Sequence, residues 1–483
     1  MSNKKKLTII QMNDTHGYLE EHYEHLWLGG EEKFVKAGGY ARIYSYVDSV
    51  RKETNNNVLF LDGGDTFHGT YPVVDSKGEI LVELLNDLEV DAMTAHWEFA
   101  YGPEQFNSLV SKLDFPMLAI NCYKKEENKL MYPPYLVKEI NGLKIGVIGI
   151  AATIIDKVMP AHFSRGLYFT MGNQELPKYI EELKNKKEVD LIVVLSHLGY
   201  PQELKIAEEV DGIDVLLSAH THNRIYEPAI INNTIIIQSG SHGSFLGRLD
   251  LEVENKKIVS HKHELKLLDK SVKKDEKMQA KIDRLLAPHR NMLKEVIGKT
   301  KTKLVRNRVL ESTMDNFLLA SLMMEVPDAL MAFSNGWRYG APIPKGEIRV
   351  NDIWNIIPVN PPLSTVELTG RELWDMLEEN LERTFARDPY EQMGGYVKRC
   401  MGINVYFKIE NPAGERIEEL FVDGKAVDKD EIYKAVYVSS QGVPAKYGTN
   451  RKNLDIHAID VLKKYLKVKG EIEAPITGTI VAI

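Results

Sequence analysis

Residues 7–17 read LTIIQMNDTHG and join a short apolar segment to two potential metal ligands, Asp14 and His16. Four later apolar segments end in the same way: VLFLDGGD at 58–65, DAMTAH at 91–96, LIVVLSH at 191–197 and VLLSAHTH at 215–222. In an open, mostly parallel α/β sheet, ligands bind beyond the carboxyl ends of the strands, so five such endings would meet in one crevice. The pattern predicts a layered α/β fold whose crevice holds enough imidazoles and carboxylates for two metal ions.

Asp65 is the candidate bridge between these ions. Two divalent cations a few ångströms apart need a shared carboxylate among imidazole and carboxylate ligands. The glycines at 63 and 64 let the backbone before Asp65 turn sharply and approach an ion. Side chains two residues apart on an extended segment point the same way, as in the DTH and HTH motifs at 14–16 and 220–222. Each motif is weak alone, and their recurrence at strand ends is what predicts a binuclear site.

Length, charge and cysteine content restrict the class of protein. The 483 residues exceed the roughly 250–300 at which single cores stop growing, so two domains are expected. The formal net charge of −8 disfavours nucleic-acid polymers and anionic membranes as partners. Cys122 and Cys400 are too few for a disulfide framework. The apolar run after residues 4–6 is shorter than a secretory signal of about 7–15 residues, and no stretch reaches the roughly 20 of a membrane span. We therefore expect a cytoplasmic protein.

The character of the sequence changes twice along the chain. Strand and helix patterns alternate up to about residue 268. A lysine-rich stretch at 274–296 has a 3.6-residue period and predicts a connecting helix. A second mixed region follows, with helices expected at 312–325 and 370–383. The predicted organisation has three parts, namely a metal-binding α/β domain at 1–268, a helical linker at 269–300 and a second, smaller mixed α/β domain at 301–483.

Several motifs resemble those of the 5′-nucleotidases. In the first half, NDTHG at 13–17, GGD at 63–65, SHLG at 196–199 and AHTH at 219–222 are similar to the family's metallophosphatase domain. In the second half, NGWR at 335–338, VELTG at 366–370 and GGY at 394–396 are similar to its nucleotide-binding domain. The resemblance implies a calcineurin-like binuclear metallophosphoesterase domain followed by a C-terminal 5′-nucleotidase domain that binds the substrate, and it extends over nearly the whole chain.

The resemblance also implies a set of metal ligands. One ion would be bound by Asp14, His16, Asp65 and His222, and the other by Asp65, His96, His197 and His220. Manganese, zinc, or iron together with manganese would all suit these ligands. Such ions lower the pKa of an attacking water and neutralise the charge that builds on phosphoryl oxygens. Asp65 and His96 are therefore expected to take part in catalysis as well as in metal binding.

The sequence departs from the family at residues 95–100, which read AHWEFA where relatives read GNHEFD. In the family the asparagine is a metal ligand, and the histidine, oriented by the aspartate, assists the leaving group. Here His96 stands at the ligand position, whereas Trp97 cannot carry a proton. His68 and His242 are candidates to replace the missing acid, because both follow strand ends near the crevice. Alternatively, the substrate has a leaving group that needs no acid.

Four residues of the second half are candidates for substrate binding. Arg338 matches a phosphate- or ribose-contacting arginine of the family, and Asn335 belongs to the same motif. Tyr396 matches the first of two aromatic residues that stack on a nucleobase, and Tyr447 is the candidate for the second. The glycine motif that relatives carry before the second aromatic residue is replaced by GVPAKYG at 442–448.

The sequence therefore predicts a binuclear metal-dependent hydrolase of small-molecule phosphate monoesters. Nucleoside 5′-monophosphates or related nucleotides are the expected substrates, which indicates a role in nucleotide catabolism. Two alternatives stay open. The HWEF motif at 96–99 is similar to the thiosulfohydrolase branch of the superfamily, which hydrolyses a sulfur-linked sulfate. The lost acid is also compatible with a catalytically silent relative that binds nucleotide or metal. The sequence leaves the oligomeric state open.

Overall fold

The computed structural model describes residues 4–483. The chain divides into two compact units. Unit 1 comprises the described residues up to His22 together with Val35–Ala287. Unit 2 comprises Tyr23–Phe34 and Pro288–Ile483. Among residues 4–483, no helix combines the length and apolar composition that are needed to cross a bilayer.

Unit 1 contains two large sheets that share one apolar core. The first has five strands in the spatial order Lys257–Leu267, Phe245–Glu254, Lys5–Met12, Val58–Asp62 and Ala92–Met93. The second has six, in the order Ala229–Ile231, Thr234–Ile237, Val215–Leu217, Leu191–Ser196, Leu143–Ile150 and Tyr135–Ile140. Leu59 of the first sheet and Val193 of the second belong to the same cluster of buried side chains. This layered α/β construction confirms the predicted fold class.

The order of parallel strands explains how the predicted strand ends meet. In the first sheet, Val58–Asp62 runs parallel to Lys5–Met12 and to Ala92–Met93. In the second sheet, Leu191–Ser196 runs parallel to Leu143–Ile150 and Val215–Leu217. Parallel neighbours place their carboxyl ends at the same edge of a sheet. Thus the motif that follows each strand lies beside the motif of its neighbour.

Helices and short strands complete unit 1. Its α-helices are Tyr40–Glu53, Tyr71–Asp75, Glu79–Leu88, Pro103–Val110, Leu176–Asn185, Tyr200–Glu209 and Glu276–Leu286. Short 3₁₀ helices form at Trp97–Tyr101 and Ala161–Ser164. A small sheet contains Leu167–Phe169, Cys122–Lys124 and Lys129–Leu130.

Unit 2 is also mixed α/β. Its five-stranded sheet has the order Tyr396–Met401, Met331–Gly336, Ile432–Val438, Pro362–Thr369 and Thr449–His457. Smaller sheets contain Lys425–Ala426, Ile417–Val422, Ile403–Phe407 and Ile480–Ala482, and Gly346–Arg349, Val296–Thr300 and Glu471–Ile472. The α-helices are Arg290–Lys294, Thr313–Glu325, Val350–Ile356, Gly370–Phe385, Ser439–Gly442 and Ala458–Lys469, with a 3₁₀ helix at Pro389–Glu391.

A hairpin from the first 40 residues belongs largely to unit 2, which the sequence did not predict. It pairs His22–Leu28 with Glu31–Ala37. Glu32 forms an ion pair with Lys303, and the Asn307 amide lies 3.3 Å from His25 Nδ1. These contacts are polar and join residues 271 and 282 positions apart, so no local pattern reveals them.

The single connecting helix predicted for 274–296 is wrong. The segment forms two helices, Glu276–Leu286 and Arg290–Lys294, and Val296 already belongs to a strand. Pro288 explains the interruption, because proline lacks the backbone N–H that a continuing helix needs. The first helix lies in unit 1 and the second in unit 2. The domain limits proposed near residues 268 and 300 stay predictions.

Candidate metal centre

Asp65 lies at the end of a tight turn that only glycine can make. The strand Val58–Asp62 is followed by Gly63 and Gly64, and Gly64 has φ of +90°. A Cβ at position 64 would lie 2.8 Å from the Thr94 carbonyl oxygen and 3.1 Å from His197 Nδ1. The absence of a side chain therefore lets the backbone before Asp65 pass close to the neighbouring loops.

The structure gathers the seven predicted ligands into two adjoining groups that share Asp65. Within each group, one nitrogen or oxygen atom per residue lies within 4.8 Å of the corresponding atoms of the others. The first group, referred to as position 1, contains Asp14, His16, Asp65 and His222. The second group, position 2, contains Asp65, His96, His197 and His220. The composition of both groups agrees with the predicted ligand sets; the role of each residue as a ligand stays a prediction.

Short distances join the two carboxylates to the imidazoles. At position 2, Asp65 Oδ2 lies 3.2 Å from His197 Nε2, and Asp65 Oδ1 lies 3.2 Å from His96 Nδ1. At position 1, Asp14 Oδ1 lies 3.1 Å from His222 Nε2. His16 Nε2 lies 3.8 Å from Asp65 Oδ2. Asp65 therefore contacts imidazoles of both groups, as a bridging carboxylate must.

Hydrogen bonds orient several of these side chains. His197 Nδ1 lies 2.5 Å from the Gly63 carbonyl oxygen, so the proton is on Nδ1 and Nε2 faces Asp65. Asp14 Oδ2 accepts from the Asn13 amide at 2.7 Å and from the His220 N–H at 3.0 Å. Asp14 Oδ1 is buried and faces the imidazole nitrogens of His222 and His197, at 3.1 and 3.9 Å. A buried carboxylate oxygen surrounded by imidazole nitrogens fits a cation, because neutral imidazoles leave its charge uncompensated.

Several ligand candidates adopt left-handed backbone conformations, which non-glycine residues rarely do. The φ values are +51° at Asp14, +48° at His16, +58° at Asp65, +72° at His220 and +58° at His222. The loops hold each other in place, since the Asp14 N–H donates to Gly64 O and the His16 N–H to Asp65 O, both at 2.8 Å. Such strain is typical of functional sites.

Two buried glutamates support the loops, and sequence reasoning missed both. Glu98 Oε2 accepts from the His96 N–H and Oε1 from the Thr66 N–H, each at 2.6 Å. Glu203 Oε1 accepts from the N–H groups of Leu198 and Gly199 at 3.1 and 3.2 Å. Both glutamates thus hold ligand-bearing loops through the main chain. The only sequence signal was the presence of each glutamate within six residues of a ligand histidine.

Burial and charge together set the protonation of the centre. Burial alone would raise the pKa of Asp65, but His96 and His197 hold it well below its usual range. Burial alone would lower the pKa of His197, yet Asp65 raises it to about 10. For His16, the effect of burial exceeds the attraction of Asp65 and lowers the pKa to about 3. Because imidazoles bind metals in the neutral form, cation binding would release the proton of His197.

The candidates for the missing acid both lie beside this cluster. The His68 ring stacks on the Trp97 indole with centroids 4.6 Å apart and planes at 24°. Burial lowers the pKa of His68 to about 3. The His242 ring centroid lies 5.9 Å from that of His222, and the main-chain N–H of His242 donates to the Asp14 carbonyl oxygen at 2.6 Å. Their role in catalysis stays a prediction.

In unit 2, the structure brings two of the four predicted substrate-binding residues together. The Arg338 guanidinium lies over the Tyr396 ring, 5.1 Å from its centroid, and donates to the Gly395 carbonyl oxygen at 2.9 Å. The Asn335 amide donates to Gln441 at 3.3 Å. Tyr447 is held by a different partner, since its hydroxyl donates to Glu379 at 2.8 Å. Substrate binding by these residues stays a prediction.

Two adjoining groups of imidazoles and carboxylates that share one aspartate, at the strand ends of an α/β unit, define the class of binuclear metallohydrolases. Residues 7–224 match the family model of calcineurin-like phosphoesterases. Residues 296–441 match that of the 5′-nucleotidase C-terminal domain. The chain therefore combines a calcineurin-like phosphoesterase domain with a 5′-nucleotidase C-terminal domain.

Individual proteins show the same relationship. The trifunctional nucleotide phosphoesterase protein YfkN of Bacillus subtilis is 25% identical over 480 residues, covering 89% of this chain but only 31% of its own length. The human 5′-nucleotidase is 25% identical over 485 residues, covering 89% of this chain and 82% of the human one. The 5′-nucleotidase precursor of Thermus thermophilus has 25% identity and a TM-score of 0.87, with 99% of both chains covered. The fold is also that of the Thermus thermophilus sulfate thiohydrolase SoxB, with a TM-score of 0.91, 23% identity, and 99% and 96% of the chains covered.

Proposed function

We propose that this protein hydrolyses phosphate monoesters with two divalent metal ions, and that nucleoside 5′-monophosphates or related nucleotides are its substrates. The observation that carries the proposal is the pair of buried groups around Asp65. The names of its relatives, which include 5′-nucleotidases, support the choice of nucleotides. The expected cytoplasmic location and the role in nucleotide catabolism stay predictions.

The residues around Asp65 would hold the ions and prepare the site for them. When bound, two such ions make water nucleophilic near neutral pH and neutralise phosphoryl charge. Asp65 would serve both positions, and the main-chain N–H of Trp97 donates to its Oδ1 at 2.8 Å, which fixes the carboxylate. Trp97 is buried with 6% of its surface exposed, so its indole keeps water from that side of the cluster. The donor set suits manganese, zinc, or iron with manganese.

The proton for the leaving oxygen has two candidate sources, His68 and His242. General acid assistance contributes about 10²–10⁴-fold, so its loss would slow a metal-dependent hydrolysis without abolishing it. If either histidine supplies the proton, its replacement by alanine should lower kcat most for esters with poor leaving groups. A uniform small effect on all esters would exclude that histidine as the acid.

Nucleotide binding would involve Arg338 and Tyr396. A planar guanidinium suits a pair of phosphate oxygens. In the structure, the guanidinium of Arg338 lies over one side of the Tyr396 ring. A nucleobase that stacks on that side would have to displace Arg338, which would then be available for a phosphate or ribose. Loss of nucleotide preference on Arg338→Ala, with unchanged hydrolysis of a simple aryl phosphate, would support this role.

The decisive experiment measures phosphate release by the purified protein with added Mn²⁺. The substrates are nucleoside 5′-monophosphates, other phosphate esters and thiosulfonate compounds. We expect phosphate from the monophosphates, and loss of activity by at least about 10³-fold in Asp65→Asn, in which a bridging charge is removed. Asp75→Asn is the matched control, because Asp75 is an exposed aspartate of unit 1. Equal activity of the Asp65 variant and the control would contradict the proposal.

One observation favours a second candidate, hydrolysis of a sulfur-linked sulfate. The Trp97 position, which carries a proton donor in phosphate-ester relatives, here holds an indole stacked on His68. A sulfur leaving group needs no protonation at that place. Sulfate release from the thiosulfonates without phosphate release from any ester would establish this reaction. Metal binding without either activity would indicate a silent relative.

A further inference from the structure

The two groups around Asp65 differ in their donor atoms. Position 1 offers two carboxylates, Asp14 and Asp65, with two imidazoles. Position 2 offers three imidazoles, and Asp65, which it shares, is its only carboxylate. The two positions therefore present different mixtures of oxygen and nitrogen to a cation.

Donor chemistry discriminates between metals. Carboxylate oxygen suits hard ions such as Mn²⁺, whereas imidazole nitrogen suits Zn²⁺. Any site of mixed nitrogen and oxygen donors binds Zn²⁺ more tightly than Mn²⁺. A difference between the two positions therefore shows only when zinc is scarce, in which of the two positions the zinc occupies. A site with three nitrogens and one shared oxygen gains more from zinc than a site with two of each.

His96 is the residue that makes position 2 rich in nitrogen. Its ring centroid lies 5.1 Å from that of His197 and 4.9 Å from that of His220, so the three rings surround one space. Its main-chain N–H is fixed by Glu98 at 2.6 Å. Its Nε2 is buried and has no hydrogen-bond partner among residues 4–483. The ring is therefore fixed and has a nitrogen to offer.

Both positions are almost completely enclosed, since the most exposed residue of each is His220 at 7% and His222 at 10%. The rate of metal release should therefore follow the strength of binding. Zn²⁺ bound by three imidazoles is held more tightly than Mn²⁺ at a position with two carboxylates. We expect position 2 to release its metal more slowly.

We propose that the centre is heterobinuclear by construction: position 2 selects and retains Zn²⁺, and position 1 binds Mn²⁺ and exchanges it. The inference rests on the proposed function, since it assumes that both groups hold metal ions. It assigns the slowly exchanging ion of the pair to the imidazole-rich position. Activity would then respond to free manganese, because the ion at position 1 is the one that equilibrates with solution.

The test supplies the metal-free full-length protein with one equivalent of Zn²⁺ and an excess of Mn²⁺. After gel filtration, metal content is measured, and anomalous diffraction at the two absorption edges locates each element. We expect one zinc per chain at position 2 and manganese at position 1. Zinc spread evenly over both positions, zinc at position 1, or a chain that binds neither metal would overturn the proposal.

Two matched variants separate donor chemistry from general damage. His96→Asn replaces a position 2 imidazole by an amide and should release zinc at least about tenfold faster into a chelator. His16→Asn makes the same change at position 1 and should weaken manganese while leaving zinc release within about twofold. Equal effects of the two variants would contradict the inference. If a variant fails to fold, the wild-type diffraction experiment still decides.

Failure of this inference is distinguishable from failure of the proposed function. A protein that hydrolyses phosphate esters with metals distributed at random keeps the function and loses the selectivity. A protein with zinc at position 2 and manganese at position 1 that releases neither phosphate nor sulfate keeps the selectivity and loses the function.

Discussion

Replacement of Asp315 by alanine should destabilise unit 2 strongly. Asp315 lies in the first turn of the helix Thr313–Glu325. Its Oδ1 lies 3.0 Å from Arg306 Nη2 and its Oδ2 lies 3.0 Å from Arg399 Nε, and all three side chains are 1% exposed. One carboxylate thus compensates two buried guanidinium groups.

The magnitude follows from this arrangement. Removal of one partner of a buried ion pair typically costs about 3–5 kcal/mol, because the other charge is left uncompensated. Here two charges lose their partner, so we expect a loss of at least about 3 kcal/mol in the free energy of unfolding. With a urea dependence of about 2–3 kcal/mol per molar, the midpoint should fall by at least about 1 M. Arg306 keeps its bonds to the carbonyl oxygens of Tyr339 and Ile356, both at 2.9 Å, which limits the loss.

Tryptophan fluorescence during urea unfolding is a suitable assay. Four of the five tryptophans, at 27, 337, 354 and 374, belong to unit 2, so the signal reports mainly on that unit. The control is Glu347→Ala, which removes an exposed ion pair with Arg349 and should cost at most about 1 kcal/mol. A midpoint for Asp315→Ala within about 0.3 M of the wild type would refute the reasoning about the buried charges.

Three further predictions concern single residues. Glu98→Ala should weaken metal binding by about 10–100-fold, because the main-chain N–H groups of His96 and Thr66 lose their acceptor. Glu98→Gln should weaken it less, because glutamine keeps one acceptor oxygen for these two N–H groups. Equal metal content in both variants would contradict this role of Glu98. Gly64→Ala should abolish binding of two metals, because the new Cβ would lie 2.8 Å from the Thr94 carbonyl oxygen. Gly166→Ala is the control, since Gly166 also has a positive φ, +75°, but a Cβ there would meet nothing within 4 Å. Metal analysis should find both ions in the control. Burial, helped by Arg383, lowers the pKa of Lys398 to about 8 in the folded protein. Between pH 8 and 10.5 the unfolded chain binds more protons, so wild-type stability should rise relative to Lys398→Met by about 2–3 kcal/mol. A difference in urea midpoint that does not change between pH 7 and pH 10 would rule this out.

The core of unit 1 and its candidate site could be predicted from sequence because both obey short-range rules. Each apolar segment is short enough to be a strand, and each ends in residues that a core would not accept. The strand Leu191–Ser196 shows this clearly, since six buried residues precede His197. Parallel order then places such endings at one edge, so seven residues spread over more than 200 positions are gathered without any knowledge of contacts.

Other features depend on contacts that leave no local mark. Glu203 lies in the helix Tyr200–Glu209 and is buried because its carboxylate accepts from an N–H group of the preceding loop. The helical pattern of the sequence does not reveal this contact. Arg306 lies in a stretch without periodicity, and its burial requires Asp315 and two carbonyl groups. In both cases a charged residue that would normally be exposed is buried because distant partners compensate it.

The left-handed backbone at the ligand positions is the clearest limit of sequence reasoning. Aspartate and histidine tolerate positive φ better than most residues, yet each such conformation still costs about 1–3 kcal/mol. The cost is borne because the loops fix each other: the Asp14 and His16 N–H groups donate to the carbonyl oxygens of Gly64 and Asp65. Neither loop would adopt this shape alone. The strained conformation is therefore a property of the two loops together, and within it Asp14 and Asp65 belong to the same group of potential ligands.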